Sequence, residues 1–536
     1  MRPMTLLGGL AAALTFCSTT LHSSDALAQK SGGTLRMYHR DNPPSASIHE
    51  EATNSTVVPF MSLFNNLVLF NQGKPQNSIK DIVPDLAKSW SWSADNKDLT
   101  FKLQEGVKWH DGQPFTAKDV VCTFDMLTGK GSEQQRLRRN PRQSWYGNVE
   151  NATANGDAEV TLHLKHPQPS ILVLLASGYS PIYPCHVPVA QMRTKPVGTG
   201  PFKFVEFKQN EGIKLTRNTD YWKKGRPYLD AIEFTIVPNR ATAMLSFVSG
   251  RFDITFPWEV TMPLLKDIKS QLPNASCQVT SMNNSTNLIV NRDAPPFDNP
   301  ELRRALNLAI DRKAFVDIIN QGDAQLGGSM QPLEDGVWGM PQGDYEAVPG
   351  YGPDVAKNRE EARDIMKKLG YGPDKRLPLK VATRGISLYK DPAIILAGQL
   401  KEIWIEADVE IIETTQWFTR VARKNYSVGL NTTGNGVDDP DQNYYENFAC
   451  KSERNYTGYC NPDIEKLFDV QSSETDLEKR KKVVWEIDRK LLEDGARPII
   501  MWNRAAICMQ PYVKGYVAQV NSVYNGFRFE DVWLDK

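Results

Sequence analysis

Residues 85–124 read DLAKSWSWSADNKDLTFKLQEGVKWHDGQPFTAKDVVCTF, a run of local structural signals in close succession. Asp85 to Trp92 is read as a short amphipathic turn ending in tryptophans, and Asp95 with Asn96 supplies turn chemistry. Leu99, Phe101 and Leu103 alternate with Thr100, Lys102 and Gln104, the period-two pattern of a half-buried strand, which Gly106 ends. His110-Asp111-Gly112-Gln113-Pro114 predicts a tight turn after Trp109. Thr116 with Asp119 three positions later predicts a capping box, opening a helix through Val120, Val121 and Phe124. None of these signals is catalytic.

The order of those signals resembles the signature block of the family 5 extracytoplasmic solute-binding proteins, the oligopeptide-, dipeptide- and nickel-binding receptors of ABC importers. Two further stretches carry the resemblance. One is a helix through Ala241 to Ser249, stopped by Gly250 and followed by Arg251-Phe252-Asp253-Ile254. The other has Asn299 as N-cap and Pro300 as first helical residue of LRRALNLAIDRKAFVDII, read as one helix. The resemblance implies an α/β, bilobal periplasmic-binding-protein fold of type II, cluster C-like, with two crossing segments and an extra subdomain in the first lobe. It places a signal peptide at 1–28, lobe 1 with its subdomain at 29–281, lobe 2 at 282–496 and a C-terminal return to lobe 1 at 497–536. The crossings are expected near Ser281 to Asn283 and near Arg497 to Met501.

Elsewhere the patterning agrees with an α/β chain. Strands are predicted at Gly33 to Tyr38, Glu159 to Leu164, Phe204 to Phe207 paired with Gly212 to Arg217, and Ile232 to Val237. From Leu377 the order becomes strand (Leu379 to Ala382), helix (Pro392 to Ile403) and strand (Ala407 to Ile412), as in an α/β lobe.

A chain of 536 residues exceeds one ordinary core, which favours two or three domains. Lysine plus arginine and aspartate plus glutamate both number 63, so the composition gives no reason to expect nucleic acid or a strongly anionic membrane as partner. Arg2, the short apolar run at 6–16 and Ala26-Leu27-Ala28 fit a cleavable secretory signal, placing the mature protein in the periplasm. No later apolar run approaches bilayer length. The expected partners are a small-molecule or peptide ligand and an inner-membrane ABC permease, with the chain acting as a monomer.

Six cysteines follow the signal. Cys450 and Cys460 bracket a short polar loop and are expected to be bonded, while Cys122, Cys185, Cys277 and Cys508 are expected to be buried free thiols. No Gly-x-Ser-x-Gly elbow or His-Glu-x-x-His is present, and the chain is read as no enzyme. His163, His166 and Cys185-His186 match no zinc spacing, and neither a metal nor a cofactor is expected.

The candidate ligand residues follow from position. In the run Gly436 to Gln442, Asp439 is an N-cap with Pro440 at the first helical position and Gln442 completing a capping box, while Asp438 has no such structural use. Peptide-binding relatives of the resembled family carry an aspartate for the ligand's ammonium just ahead of a matching Asp-Pro-Asp segment. Aligned without gaps, that position falls here on Gly436, a departure that leaves Asp438, with Asp439 and Asp441, as the candidates for the charge. Arg384 follows a predicted strand, where a guanidinium can hold a ligand carboxylate through its bidentate fork, as the resemblance implies. Trp258, Trp417 and Trp502 lie near crossings or strand ends and are candidate aromatic walls. Met282 and Asn283 lie at the first crossing, and Tyr38 and His39 follow the first strand of the other lobe, where they face the same expected cleft.

Overall fold

Two long strands organise the molecule, Ser276–Val290 and Ile499–Met509. They run antiparallel, pairing Ser276–Ser281 with Arg504–Met509 and then, after a register shift between Ser281 and Ser285, Ser285 with Trp502 and Thr286 with Met501. Inside the shift, Asn283 takes a positive φ of 40°, and its carbonyl accepts the Asn435 N–H at 2.6 Å. The structure, a computed structural model, describes residues 29–328, 330–334, 336–520 and 526–536; the expected signal segment lies outside them.

The side chains on either side of the shift join different cores. One cluster gathers buried residues from Leu35 to Met282 and from Ala505 to Leu534, with Val437 as its one member from between. Three others draw their buried members from Leu288 to Trp502. The chain is therefore bilobal.

In the first lobe, Thr34–His39 pairs in parallel with Ala231–Ile236, which continues antiparallel through Gly212–Arg217 to Phe202–Lys208. A second sheet, in the order Ala87–Trp92, Asp98–Leu103, Glu159–Leu164 and Val149–Ala154, packs against the helix Ala117–Thr128. The predicted Thr116–Asp119 capping box is present. The turn expected at Asp85 to Trp92 is instead strand from Ala87 onward. Asp85 itself is buried, accepting from the side chain of Asn65 and pairing with Lys223 at 2.9 Å. Trp90 and Trp92 alternate with Ser89 and Ser91, so the period-two signal was present.

The second lobe holds a six-stranded sheet in the order Gln325–Leu326, Ile499–Met509, Ser276–Val290, Val428–Gly434, Leu377–Arg384, Ile405–Ile412. Its last two strands are parallel and joined by the helix Ser387–Leu400, the crossover that parallel pairing requires. The segment read as one helix after Pro300 is two, Pro300–Leu308 and Arg312–Asn320. Asp311 caps the second by accepting the Ala314 N–H, which turns the chain where hydrophobic periodicity alone predicts continuity.

Three disulfides are formed, Cys122–Cys185, Cys277–Cys508 and Cys450–Cys460. The last was expected; the other two correct the free-thiol expectation. Cys277 and Cys508 are direct ladder partners. Cys185 is brought to the helix bearing Cys122 by its own backbone N–H, which donates to Asp119 at 2.8 Å. Their separations of 231 and 63 residues conceal both pairings in the sequence.

Candidate ligand cleft between the lobes

Strand ends from both lobes converge on the seam between them. Thr34–His39 delivers Arg40 and Asp41 from the first lobe, and Leu377–Arg384 delivers its terminal arginine from the second. The Arg384 guanidinium is 2% exposed and bonded at all three nitrogens. Nε donates to Thr414 Oγ1 at 3.0 Å, one Nη to the Tyr389 hydroxyl at 2.9 Å, and the other to Asp41 Oδ2 at 2.9 Å. Its faces lie 4.6 Å from the Tyr389 ring centroid and 5.6 Å from that of Phe418. The Ser55 hydroxyl donates to the other Asp41 oxygen at 2.6 Å. Burial pushes the Asp41 carboxyl up, yet Arg384, His39, Arg40 and Ser55 together hold it below the usual carboxylate range.

Arg40, paired with Glu259 at 3.1 Å, lies near the rings of Phe256, Trp258 and, from the other lobe, Tyr389. Trp258 has a φ of 66°, an unusual backbone for so bulky a residue, and packs edge-on against Phe256 and Phe527. Farther along the seam, Trp145 Nε1 donates to Glu446 at 3.1 Å, and Glu446 also pairs with Arg454. Arg142 stacks on Tyr179 with 3.4 Å between guanidinium carbon and ring centroid. Asp441, fully buried, accepts from Gln168 at 3.2 Å and from Ser170 of the first lobe, and from Ser472 and Gln471 of its own. The lobes thus meet through buried polar and charged groups, a surface suited to fixing a polar solute and costly to leave unpaired.

Asp438 differs from its neighbours. Burial, reinforced by the adjacent Asp439, pushes its carboxyl up to about 7, against a backbone hydrogen bond from Val337. The folded state then holds this proton where the unfolded chain has lost it, so stability is full at acid pH and falls as pH rises from the ordinary carboxylate range through 7. Asp438→Asn is expected to be neutral near pH 4 and to stabilise by about 2 kcal/mol at pH 8. Urea unfolding at the two pH values checks this; equal effects at both would refute it.

Comparison with known proteins assigns this geometry to a family. The sequence profile of the bacterial extracellular solute-binding proteins, family 5 middle region, matches residues 81–455. The chain belongs to this family. Among curated relatives, a probable di/tripeptide-binding protein 5 of Pseudomonas aeruginosa strain UCBPP-PA14 is 27% identical over 490 residues, covering 86% of this chain and 88% of that protein. Among solved structures, the periplasmic binding protein DppA of Helicobacter pylori, in complex with the peptide STSA, superposes with a TM-score of 0.83 at 22% identity. It covers 95% of this chain and 99% of that one. AgaA of A. tumefaciens R10, in complex with agropinic acid, gives 0.78 at 21% identity, covering 94% and 99%. The family 5 chain has the bilobal type II fold of periplasmic binding proteins that the sequence implied. Among the described residues, no helix is long and apolar enough to cross a membrane.

Within this family 5 protein, the residues singled out from sequence fall into distinct settings. Arg384 and Trp258 lie at the seam, as does the loop before Asp438, whose Val437 enters the first-lobe core. Arg384 is paired to a protein carboxylate, where the sequence suggested a ligand's. His39 is fully buried with Nε2 against the Ser55 carbonyl at 3.0 Å, and burial lowers its pKa. Tyr38 packs on Phe252, and Met282 is core.

Trp417 is no cleft wall. It is fully buried in a second-lobe cluster with Ile289, Ile412 and Phe418, against Gly429 of the central sheet, because it lies on the inward face of its helix. Trp502 is likewise core. Asp439 caps its helix through the Asp441 N–H, while Gln442 reaches the Gly434 carbonyl instead of completing a capping box. Both acidic groups are tied to Arg480, Asp439 by two bonds of 2.7 and 2.9 Å.

His163 bonds Asp98 and Thr153, and His186 bonds Asp111. Missing from the sequence reading were Asp41, Arg40, Tyr389, Arg142, Glu446 and Arg454. For Asp41 a signal existed, since Asp41-Asn42-Pro43-Pro44 lies three residues past a predicted strand, at the end where α/β lobes gather ligands.

Proposed function

We propose that this chain is the substrate-binding receptor of an ABC importer, capturing a peptide or peptide-like solute between its lobes in the periplasm and delivering it to the membrane permease. The observation that carries this reading is the seam itself, where buried polar groups of two lobes face each other across a joint that, among the described residues, is made of two long strands. Closure would turn where those two strands shift register, at 281–285 and 502–504, and the division between lobes is proposed there, slightly beyond residues 281 and 496. Contacts made only when the lobes are together would let the solute select the closed form. Arg40, Trp258, Tyr389, Asn283 and the 436–438 loop are the residues assigned to the solute.

Purified protein titrated with defined di- to pentapeptides should gain thermal stability, by about 2.7 kcal/mol at a hundredfold excess over Kd. The likeness to AgaA favours one alternative, an opine-like or other non-peptide solute. Stabilisation by such compounds and by no peptide would move the assignment there while leaving the receptor role intact.

A further inference from the structure

Arg384 has the features of a seat for a ligand carboxylate: a buried fork at a strand end, two hydroxyl partners in Thr414 and Tyr389, and an aromatic stack. That seat is filled from the opposite lobe. Asp41 presents one oxygen to the guanidinium at 2.9 Å and anchors the other on Ser55 at 2.6 Å. It is delivered by the bend directly after the strand Thr34–His39, 343 residues away in sequence. Its backbone is held by the His39 ring, whose Nδ1 accepts the Asp41 N–H at 3.3 Å.

We propose that Asp41 is a specificity-determining residue: it occupies the Arg384 anion seat as a built-in carboxylate, so the receptor selects solutes whose end at this point carries no anionic group, such as a carboxamide or other neutral end. A free carboxylate arriving here must displace Asp41 and leave it buried without its cation, or remain beside it as a like charge. Both are unfavourable in a desolvated site. A neutral end meets neither penalty, and an N–H donor on it gains the remaining acceptor capacity of Asp41. Specificity then comes from a repulsive element as much as from an attractive one.

This inference rests on the receptor reading above, but its first test does not need the solute. Asp41→Ala vacates the seat, so sodium acetate should raise the Tm of D41A by about 2 °C relative to sodium chloride of equal ionic strength, and that of the unmodified protein by less than about 0.5 °C. Adding R384M to D41A should abolish the acetate effect. D41S serves in the same way should D41A not fold. Equal acetate responses in all forms, or none in either Asp41 variant, would overturn the proposal.

The second test titrates trialanine and trialanine amide. The unmodified protein should favour the amide by about tenfold, and D41A should favour the carboxylate by about tenfold or more; equal affinities in the unmodified protein would overturn the proposal. A strong carboxylate preference in the unmodified protein would overturn the proposal. Binding of neither peptide by any form would instead count against peptide transport, leaving the acetate result to decide the seat.

Discussion

Replacing Cys277 and Cys508 together with alanine is expected to cost about 3–5 kcal/mol, the largest loss of any cross-link in the protein. The bond closes a loop of 231 residues, and the chain-entropy cost it removes from folding grows with the logarithm of that length. The same account orders the other pairs: Cys122–Cys185, closing 63 residues, contributes about 4 kcal/mol at most, and Cys450–Cys460, closing ten, about 2 to 3 kcal/mol. Urea unfolding of the three double-alanine variants checks the ranking. Equal losses for the 231-residue and ten-residue pairs would refute the loop-closure explanation.

Arg480→Met is expected to destabilise by a similar amount, about 3–5 kcal/mol at pH 8, because it strips the cation from two buried carboxylates at once. Arg480 gives Asp439 a bidentate pair, reaches Asp441 at 3.4 Å, bonds Gln471 at 3.0 Å and stacks on Trp338. Asp439 is already pushed up by burial and by the Asp441 charge against the pull of Arg480. Without the arginine its pKa rises further, so the folded state takes up protons more readily than the unfolded chain. The deficit should therefore shrink as pH falls toward 5 and grow toward pH 8. Adding Asp439→Asn and Asp441→Asn should recover a large part of the loss. A single-variant loss below about 1 kcal/mol, or one independent of pH, would show that the carboxylates do not depend on Arg480.

What could be read in the sequence was what is decided within a few residues. The Thr116–Asp119 box, the strand through Leu99 and Leu103, the Asn299–Pro300 start and the Asp439 cap all depend on groups no more than about four positions apart, and all are present. The family resemblance then supplied the two-lobe architecture, which no local pattern contains. Errors came where a local signal was outweighed or overlooked. Asp311 breaks an otherwise continuous apolar periodicity, and the alternation from Ala87 to Trp92 was masked by its two tryptophans.

The site was least accessible, for a physical reason. Its hydrogen bonds from lobe to lobe join residues 271 to 343 positions apart, such as Asp441 with Ser170 and Arg384 with Asp41. Strand-end position located Arg384 and Trp258 because ladders aim their ends at the seam. The same reasoning failed for Trp417, whose helix turns it inward, and for Trp502, whose strand is covered on the relevant face.

The three disulfides also divide the molecule mechanically. Cys122–Cys185 and Cys277–Cys508 lie within the first lobe, and Cys450–Cys460 within the second; none ties one lobe to the other. Oxidation on the far side of the membrane therefore hardens two halves and leaves the joint compliant. A redox change in the surroundings alters how long each half survives. What joins one half to the other is left to the non-covalent groups at the seam, which a thiol reagent does not attack.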